Sequence, residues 1–336
     1  MRGLREIQEI EALVALSKGL VQVERLGEVV TPDTRRLPIL GLCIGGADRR
    51  LPTFGLFGGV HGIERIGTWA VLSFLYSLVE NLRWDRELRR RFEGCRLVAI
   101  PLINPGGMYL GQRCNPRGVD LMRNAPVEPE GRVSFLLGGQ RLSPHLPWYR
   151  GRRGAPMEPE TQAVADFVAR EMFEADCALA VDAHSGFGVV DRLWYPYARG
   201  SDFPRTREAI ELARLLERTY PHHRYRVEPQ ADSYTTAGDL WDYLFDAHVA
   251  RHGLTGPVFL PWTLEMGSWA WVRKNPKQLL FPGGTFNPMV PHRIHRVMRQ
   301  HLVLFDFFLR AVGNREAWAE ARAGRDEAEN PIDGAT

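Results

Sequence analysis

The chain is poor in lysine. Lys18, Lys274 and Lys277 are its only lysines among 336 residues, so nearly all of the 43 basic side chains are arginine. They form no long run, and the formal net charge is only +3. A groove that tracks phosphates needs a concentrated basic surface, so nucleic acid is not expected as a partner. Cysteine is scarce as well: Cys43, Cys95, Cys114 and Cys177 stand far apart, with no CxxC pair. This spacing offers no disulfide framework, and Cys43 and Cys177, in apolar strand-like runs, are expected as buried thiols. No apolar stretch approaches a membrane span, and Met1–Glu6 does not open a secretory signal. A membrane partner is therefore not expected, and a cytoplasmic location is the simplest expectation. No GxSxG is present, and Ser185 beside His184 is too close for a nucleophile and its base. No GxxxxGK[ST] or GxGxxG follows a strand, which argues against nucleotide binding.

What the chain does have is 44% hydrophobic residues, enough for a large core. Helical spacing over Glu6–Leu20 precedes two strand-like runs, Val21–Val30 and Leu37–Ile44, expected as an edge hairpin. Thr53–Gly58 reads as a buried strand, followed by a helix from about Glu64 to Asp85. Arg96–Ile103 is a further buried strand, closed by the turn signal Asn104-Pro105-Gly106-Gly107. A long irregular stretch, Gln112–Arg153, has the composition of a functional loop. Helices are expected over Glu158–Phe173, Arg205–Thr219, Thr236–Arg251 and Val290–Ala311. Strands are expected at Cys177–Asp182, Leu193–Tyr197, Tyr225–Glu228 and Val258–Glu265. The alternation predicts an α/β fold with a mixed, mostly parallel sheet and helices on both faces. No repeat or linker divides it, so one domain over 1–313 is expected, with a polar tail over 314–336.

His61, the Asn104 turn, His184 and Glu265 fall at or just beyond the C-terminal ends of predicted strands, where open α/β sheets bind ligands. His61 and Glu64 are three residues apart at a strand-to-helix turn, close enough to reach one point. His184 supplies a second imidazole. Two imidazoles and a carboxylate match a catalytic zinc site, which leaves one coordination position for water. Glu265, a lone carboxylate far downstream, is a candidate base for that water.

These segments resemble the metallocarboxypeptidase superfamily, which includes the zinc carboxypeptidases and the succinylglutamate desuccinylase/aspartoacylase branch. Gly59-Val60-His61-Gly62-Ile63-Glu64 is similar to its first zinc motif. Arg113–Asn124 resembles its arginine-rich segment, Val181–Gly186 the segment with the third ligand, Tyr234–Asp239 the tyrosine loop, and Thr263-Leu264-Glu265 the segment with the catalytic glutamate. The motifs occur in family order. The resemblance implies a three-layer α/β/α fold around a twisted mixed sheet, and one zinc ion per chain held by His61, Glu64 and His184. It implies Glu265 as general base and Arg113 as support for the oxyanion. Arg123, with Asn124 beside it, would grip a substrate carboxylate, and Tyr234 would close over the substrate. Asp120 is expected either to orient a zinc histidine or to cap Arg123.

One position departs from the pattern. Met122 stands where the family has an asparagine that helps hold the substrate's terminal carboxylate. The expected activity is that of a metallocarboxypeptidase acting on short peptides. An N-acyl-amino-acid amidohydrolase and a non-catalytic binding relative are the alternatives.

Overall fold

The computed structural model describes residues 4–131, 133 and 136–319. Among them, eight strands form one sheet in the order β1-β2-β4-β3-β5-β8-β6-β7. The strands are β1 (Gln22–Val30), β2 (Arg36–Gly45), β3 (Thr53–Gly58), β4 (Arg96–Ile100), β5 (Cys177–Ser185), β6 (Arg192–Tyr195), β7 (Arg226–Pro229) and β8 (Val258–Met266). The helices are α1 (Arg5–Leu16), α2 (Arg65–Trp84), α3 (Arg86–Arg91), α4 (Pro105–Leu110), α5 (Pro159–Met172), α6 (Thr206–Thr219), α7 (Gln230–Ser233), α8 (Leu240–His252), α9 (Trp269–Lys274) and α10 (Pro291–Val312).

Strands β4, β3, β5 and β8 run parallel at the centre. Every residue in these four strands is buried. That is why their sequences read as continuous apolar runs without alternation. The expected edge hairpin is present: β1 pairs antiparallel with β2, which pairs antiparallel with β4. At the other edge β6 is antiparallel to β8, so the sheet is mixed, as expected. Helices α1, α2 and α10 cover one face; α5 and α8 cover the other. Between the sheet and α10, Phe54 stacks on Phe308 with ring centroids 6.0 Å apart, and Trp262 meets the same ring edge-on.

Several boundaries differ from the sequence expectations, each for a local reason. The first helix ends at Leu16 because Lys18 and Gly19 take positive φ. Asn104-Pro105-Gly106-Gly107 opens α4 instead of a simple turn, since the Asn104 side chain caps Gly107 N. Helix α8 starts at Leu240, where Asp239 accepts from Trp241 N and Asp242 N. Strand β5 continues past Asp182 through His184 to Ser185, because β8 pairs with it over that length. Cys177 is buried as expected, whereas Cys43 is only half-buried. The polar stretch from 314 begins with a packed turn: Trp318 is buried and its Nε1 donates to Ala311 O. The remainder of the expected tail, 320–336, lies outside the described residues.

His248 on α8 is fully buried between Phe173 and Phe259. Burial, with His252 and Arg205 nearby, lowers its pKa to about 4. The unfolded chain therefore takes up a proton before the folded one as pH falls. Stability should decline between the ordinary histidine range and about pH 4. Urea unfolding measured across that interval should show a shallower decline for His248→Leu than for the wild type. An equal decline would show that other groups govern the acid limb.

Candidate active site

The site is built on the turn between β3 and α2. Gly59 takes φ +66°, which sends the chain sharply away from the strand. At Gly62 a Cβ would lie 2.1 Å from the Gly107 backbone, so only glycine lets this turn pack against α4. The Asn104 side chain secures the other side by donating to Val60 O and Arg113 O. His61 and Glu64 are thereby fixed on one short, buried loop.

His184 and Glu265 arrive by a different route. They are paired residues in the parallel register of β5 and β8. Neighbouring strands thus place the second histidine and the downstream carboxylate side by side. Ser185 N donates to Glu64 Oε2 at 3.0 Å, which joins β5 to the first loop. Phe187 N donates to Glu265 Oε1 at 2.9 Å and sets that carboxylate's direction.

Ligand atoms of His61, Glu64 and His184 all lie within 4.8 Å of one another. His61 Nδ1 is 2.9 Å from Glu64 Oε1, and His184 Nδ1 is 3.4 Å from Glu64 Oε2. The opposite nitrogens face carboxylates: His61 Nε2 is 3.2 Å from Asp120 Oδ1, and His184 Nε2 is 3.0 Å from Asp182 Oδ2. With a proton on each Nε2, both Nδ1 atoms present lone pairs towards Glu64. His61 Nδ1 is buried and has no hydrogen-bond partner. Acceptors converging in this way are suited to holding a cation among them. Two imidazole nitrogens and a carboxylate, each imidazole backed by a carboxylate, fit zinc.

The local electrostatics agree. Burial works against ionisation of Glu64, but His61 and His184 outweigh it and hold its pKa below the usual carboxylate range. Burial likewise opposes protonation of His184, but Asp182 and Glu64 raise its pKa well above the ordinary histidine value. Both shifts describe a pocket that favours positive charge. Burial, followed by the Glu64 carboxylate, pushes Glu265 up to about 8.

Asp120 is fully buried and holds several groups at once. Its Oδ1 accepts from Met122 N and faces His61, while its Oδ2 accepts from Arg113 Nε at 2.9 Å. Arg123 Nη1 lies 3.6 Å from the same oxygen. Both expected roles, orienting a histidine and bracing Arg123, therefore fall to one side chain. Arg113 also donates to Glu64 at 3.1 Å. Arg113, Arg123, Tyr234 and Glu265 line the same cavity of about 800 Å³ as the histidines. Tyr234 packs against Phe187 and Trp194 on its wall.

Asn124 does not line the cavity. Its amide donates to Arg150 O and its Oδ1 accepts from Glu158 N, so both ends are spent on backbone. The expected contact with substrate came from its position next to Arg123. In the short helical turn after Asp120, neighbouring residues point apart.

Two residues carried no expectation of a role in the site. Asp182 takes His184 Nε2 and Trp241 Nε1, each at 3.0 Å, on one oxygen. Its signal was available, because residues two apart on a strand share a face. Asp239 lines the cavity while capping α8. Burial raises its pKa to about 6.

A three-layer fold with a His-Glu-His cluster at the strand ends is the architecture of a zinc carboxypeptidase. The chain belongs to that family: the zinc carboxypeptidase family model matches residues 7–267. Carboxypeptidase SOL1 of Arabidopsis thaliana is 25% identical over 226 residues, covering 66% of this chain and 40% of that protein. Mouse carboxypeptidase M is 24% identical over 159 residues, covering 45% of this chain and 30% of that protein. The chain thus spans less than half the length of these curated relatives. Among solved structures, thrombin activatable fibrinolysis inhibitor superposes with a TM-score of 0.67 at 18% identity, covering 93% of this chain and 74% of that one. Carboxypeptidase A from Helicoverpa armigera gives 0.64 at 19% identity, covering 96% of this chain and 74% of that one. At these identities the superpositions establish the fold.

Removing the carboxylate behind His184 should weaken metal binding without unfolding the protein. Asp182→Asn is expected to lower zinc affinity by roughly 10- to 100-fold in a chelator competition assay. Unchanged affinity would show that Trp241 and the strand alone orient His184.

Proposed function

We propose that this chain is a zinc-dependent metallocarboxypeptidase that removes the C-terminal residue of short peptides. The observation that carries the reading is the convergence of His61, Glu64 and His184 in one cavity with Glu265, Arg113, Arg123 and Tyr234. Zinc held by the three ligands supplies a Lewis acid and a water of lowered pKa. Glu265 is the general base, placed to accept a proton from the attacking water and to pass it to the leaving amine. Arg113, braced by Asp120 and Glu64, donates to the oxygen that gains negative charge. Arg123 binds the substrate's terminal carboxylate with a fixed guanidinium. Tyr234 contributes a phenol from the cavity wall. Action in the cytoplasm is part of this reading; four cysteines outside any disulfide support it.

Hydrolysis of N-acyl amino acids is the second reading, and Met122 favours it. This thioether lines the cavity where the family's asparagine would add a carboxylate contact. Peptides with free and amidated C-termini, tested beside N-acyl amino acids, separate the two. The peptidase reading expects a requirement for the free terminus, with Arg123→Ala raising KM for free-terminus peptides alone.

Elemental analysis should find zinc in the wild type and lose it in His184→Ala. Glu265→Gln should retain both metal and fold while kcat falls by roughly 10²- to 10⁴-fold. Substantial residual turnover in Glu265→Gln would remove Glu265 as the base. Absence of zinc after incubation with the metal would favour a non-catalytic binding relative.

A further inference from the structure

Residues 266–305 contain no aspartate or glutamate, although the whole chain has 40 acidic residues. The same segment carries six cations: Arg273, Lys274, Lys277, Arg293, Arg296 and Arg299. Two of the chain's three lysines are among them. Elsewhere the arginines are extensively paired, as in Arg96–Glu171, Arg113–Asp120 and Arg199–Asp246. No salt bridge to any of the six is present among the described residues. The acid that reaches this segment from another element, Asp191, is engaged by Gly267 N and Gln300 Nε2. These six cations therefore have no ion-pair partner among the described residues, and Arg293 ties the α10 group to α9.

Apolar side chains protrude from the same segment. Leu279, Leu280 and Phe281 follow one another at 50%, 82% and 55% exposure. They sit at the end of a 3₁₀ turn, Pro276–Leu280, in which Lys277 and Leu280 are three residues apart and so lie on one side. The turn is well fastened. Gln278 is buried and donates to Gly284 O, and Arg293 Nη1 donates to Trp271 O, drawing the start of α10 against α9. At its base Asn287 accepts from Ile66 N and donates to Ile63 O, beside the metal-binding loop. The exposed Leu-Leu-Phe tip is thus a built projection next to the cavity mouth, where Phe286 contributes to the lining.

We propose that this face docks on the surface of an anionic phospholipid bilayer. A projecting aliphatic and aromatic tip that carries Lys277 and follows directly on Arg273 and Lys274 can enter the headgroup boundary while these cations meet lipid phosphates. A protein partner fits less well, because lysine is depleted from the cores of protein interfaces whereas Lys277 shares the tip with Leu280. Spanning the membrane is a separate matter: among the described residues no helix is long and apolar enough to cross one. Docking would set the cavity mouth close to the bilayer. This inference stands independently of the catalytic reading.

The test is sedimentation of the full-length zinc-loaded protein with vesicles of phosphatidylcholine alone, or of phosphatidylcholine mixed equally with phosphatidylglycerol. Selective binding to the anionic vesicles, released by added salt, is expected. The triple variant Arg273→Gln/Lys274→Gln/Lys277→Gln should bind on the order of a hundredfold more weakly, since each cation near a charged bilayer contributes about fivefold. Leu280→Ser/Phe281→Ser should lose at least about tenfold through the missing apolar burial. Both variants should keep wild-type zinc content and circular dichroism. The proposal is overturned by no binding, by equal binding to both vesicle types, or by variants that bind as the wild type does. It is also overturned if the wild type is a dimer that Leu280→Ser/Phe281→Ser dissociates.

Discussion

One buried carboxylate organises the catalytic end of this protein. Asp120 meets His61, Arg113, Arg123 and the backbone of Met122 with its two oxygens. A lone charge at zero exposure would be costly, and the pair of guanidiniums is what permits it. Burial opposes ionisation of Asp120, yet Arg113, His61 and Arg123 keep its pKa well below the usual carboxylate value. The dependence runs both ways. Without the carboxylate, His61 has no partner for its outer nitrogen, Arg113 keeps only Glu64, and Arg123 keeps only a backbone carbonyl. The His-Glu-His cluster and the two arginines of the cavity are thus mechanically joined through one side chain.

The sheet contributes a second constraint, which is non-local. The β3–α2 turn carries two ligands within four residues, so its chemistry is written compactly. His184 and Glu265 come from β5 and β8, which meet only when the sheet assembles. A hydrogen bond then crosses between the two groups, from Ser185 N to Glu64, while Phe187 N, just beyond β5, bonds Glu265 on β8. Each carboxylate of the site is aimed by backbone from a different element, which limits the freedom of both.

This division explains what could be read from the chain alone. His61, Glu64, His184 and Glu265 were legible because polar residues at the ends of apolar runs stand out. The central strands were legible because burial on both faces leaves uninterrupted apolar sequence. Their ends were not, since β5 extends through His184 only by virtue of its pairing with β8. Asp182 was missed because a single acid inside Cys177–His184 looks like a blemish in a strand, although it shares a face with His184. Asp239 was absorbed into an expected helix that in fact begins after it. Asn124 was assigned to substrate by adjacency, and the turn geometry turned it towards Arg150 and Glu158 instead.

The pairing of His184 with Glu265 has one more consequence. Successive side chains on a strand project to opposite sides, so shifting β8 by a single position would carry Glu265 to the far face of the sheet. Such a misaligned molecule would keep much of its apolar burial and both histidines of the cluster, yet have no Glu265 carboxylate beside them. The meeting of His184 and Glu265 in this protein is therefore a property of strand alignment as much as of residue identity. A refolded population with native helix content would still contain molecules whose cavity is assembled without that carboxylate.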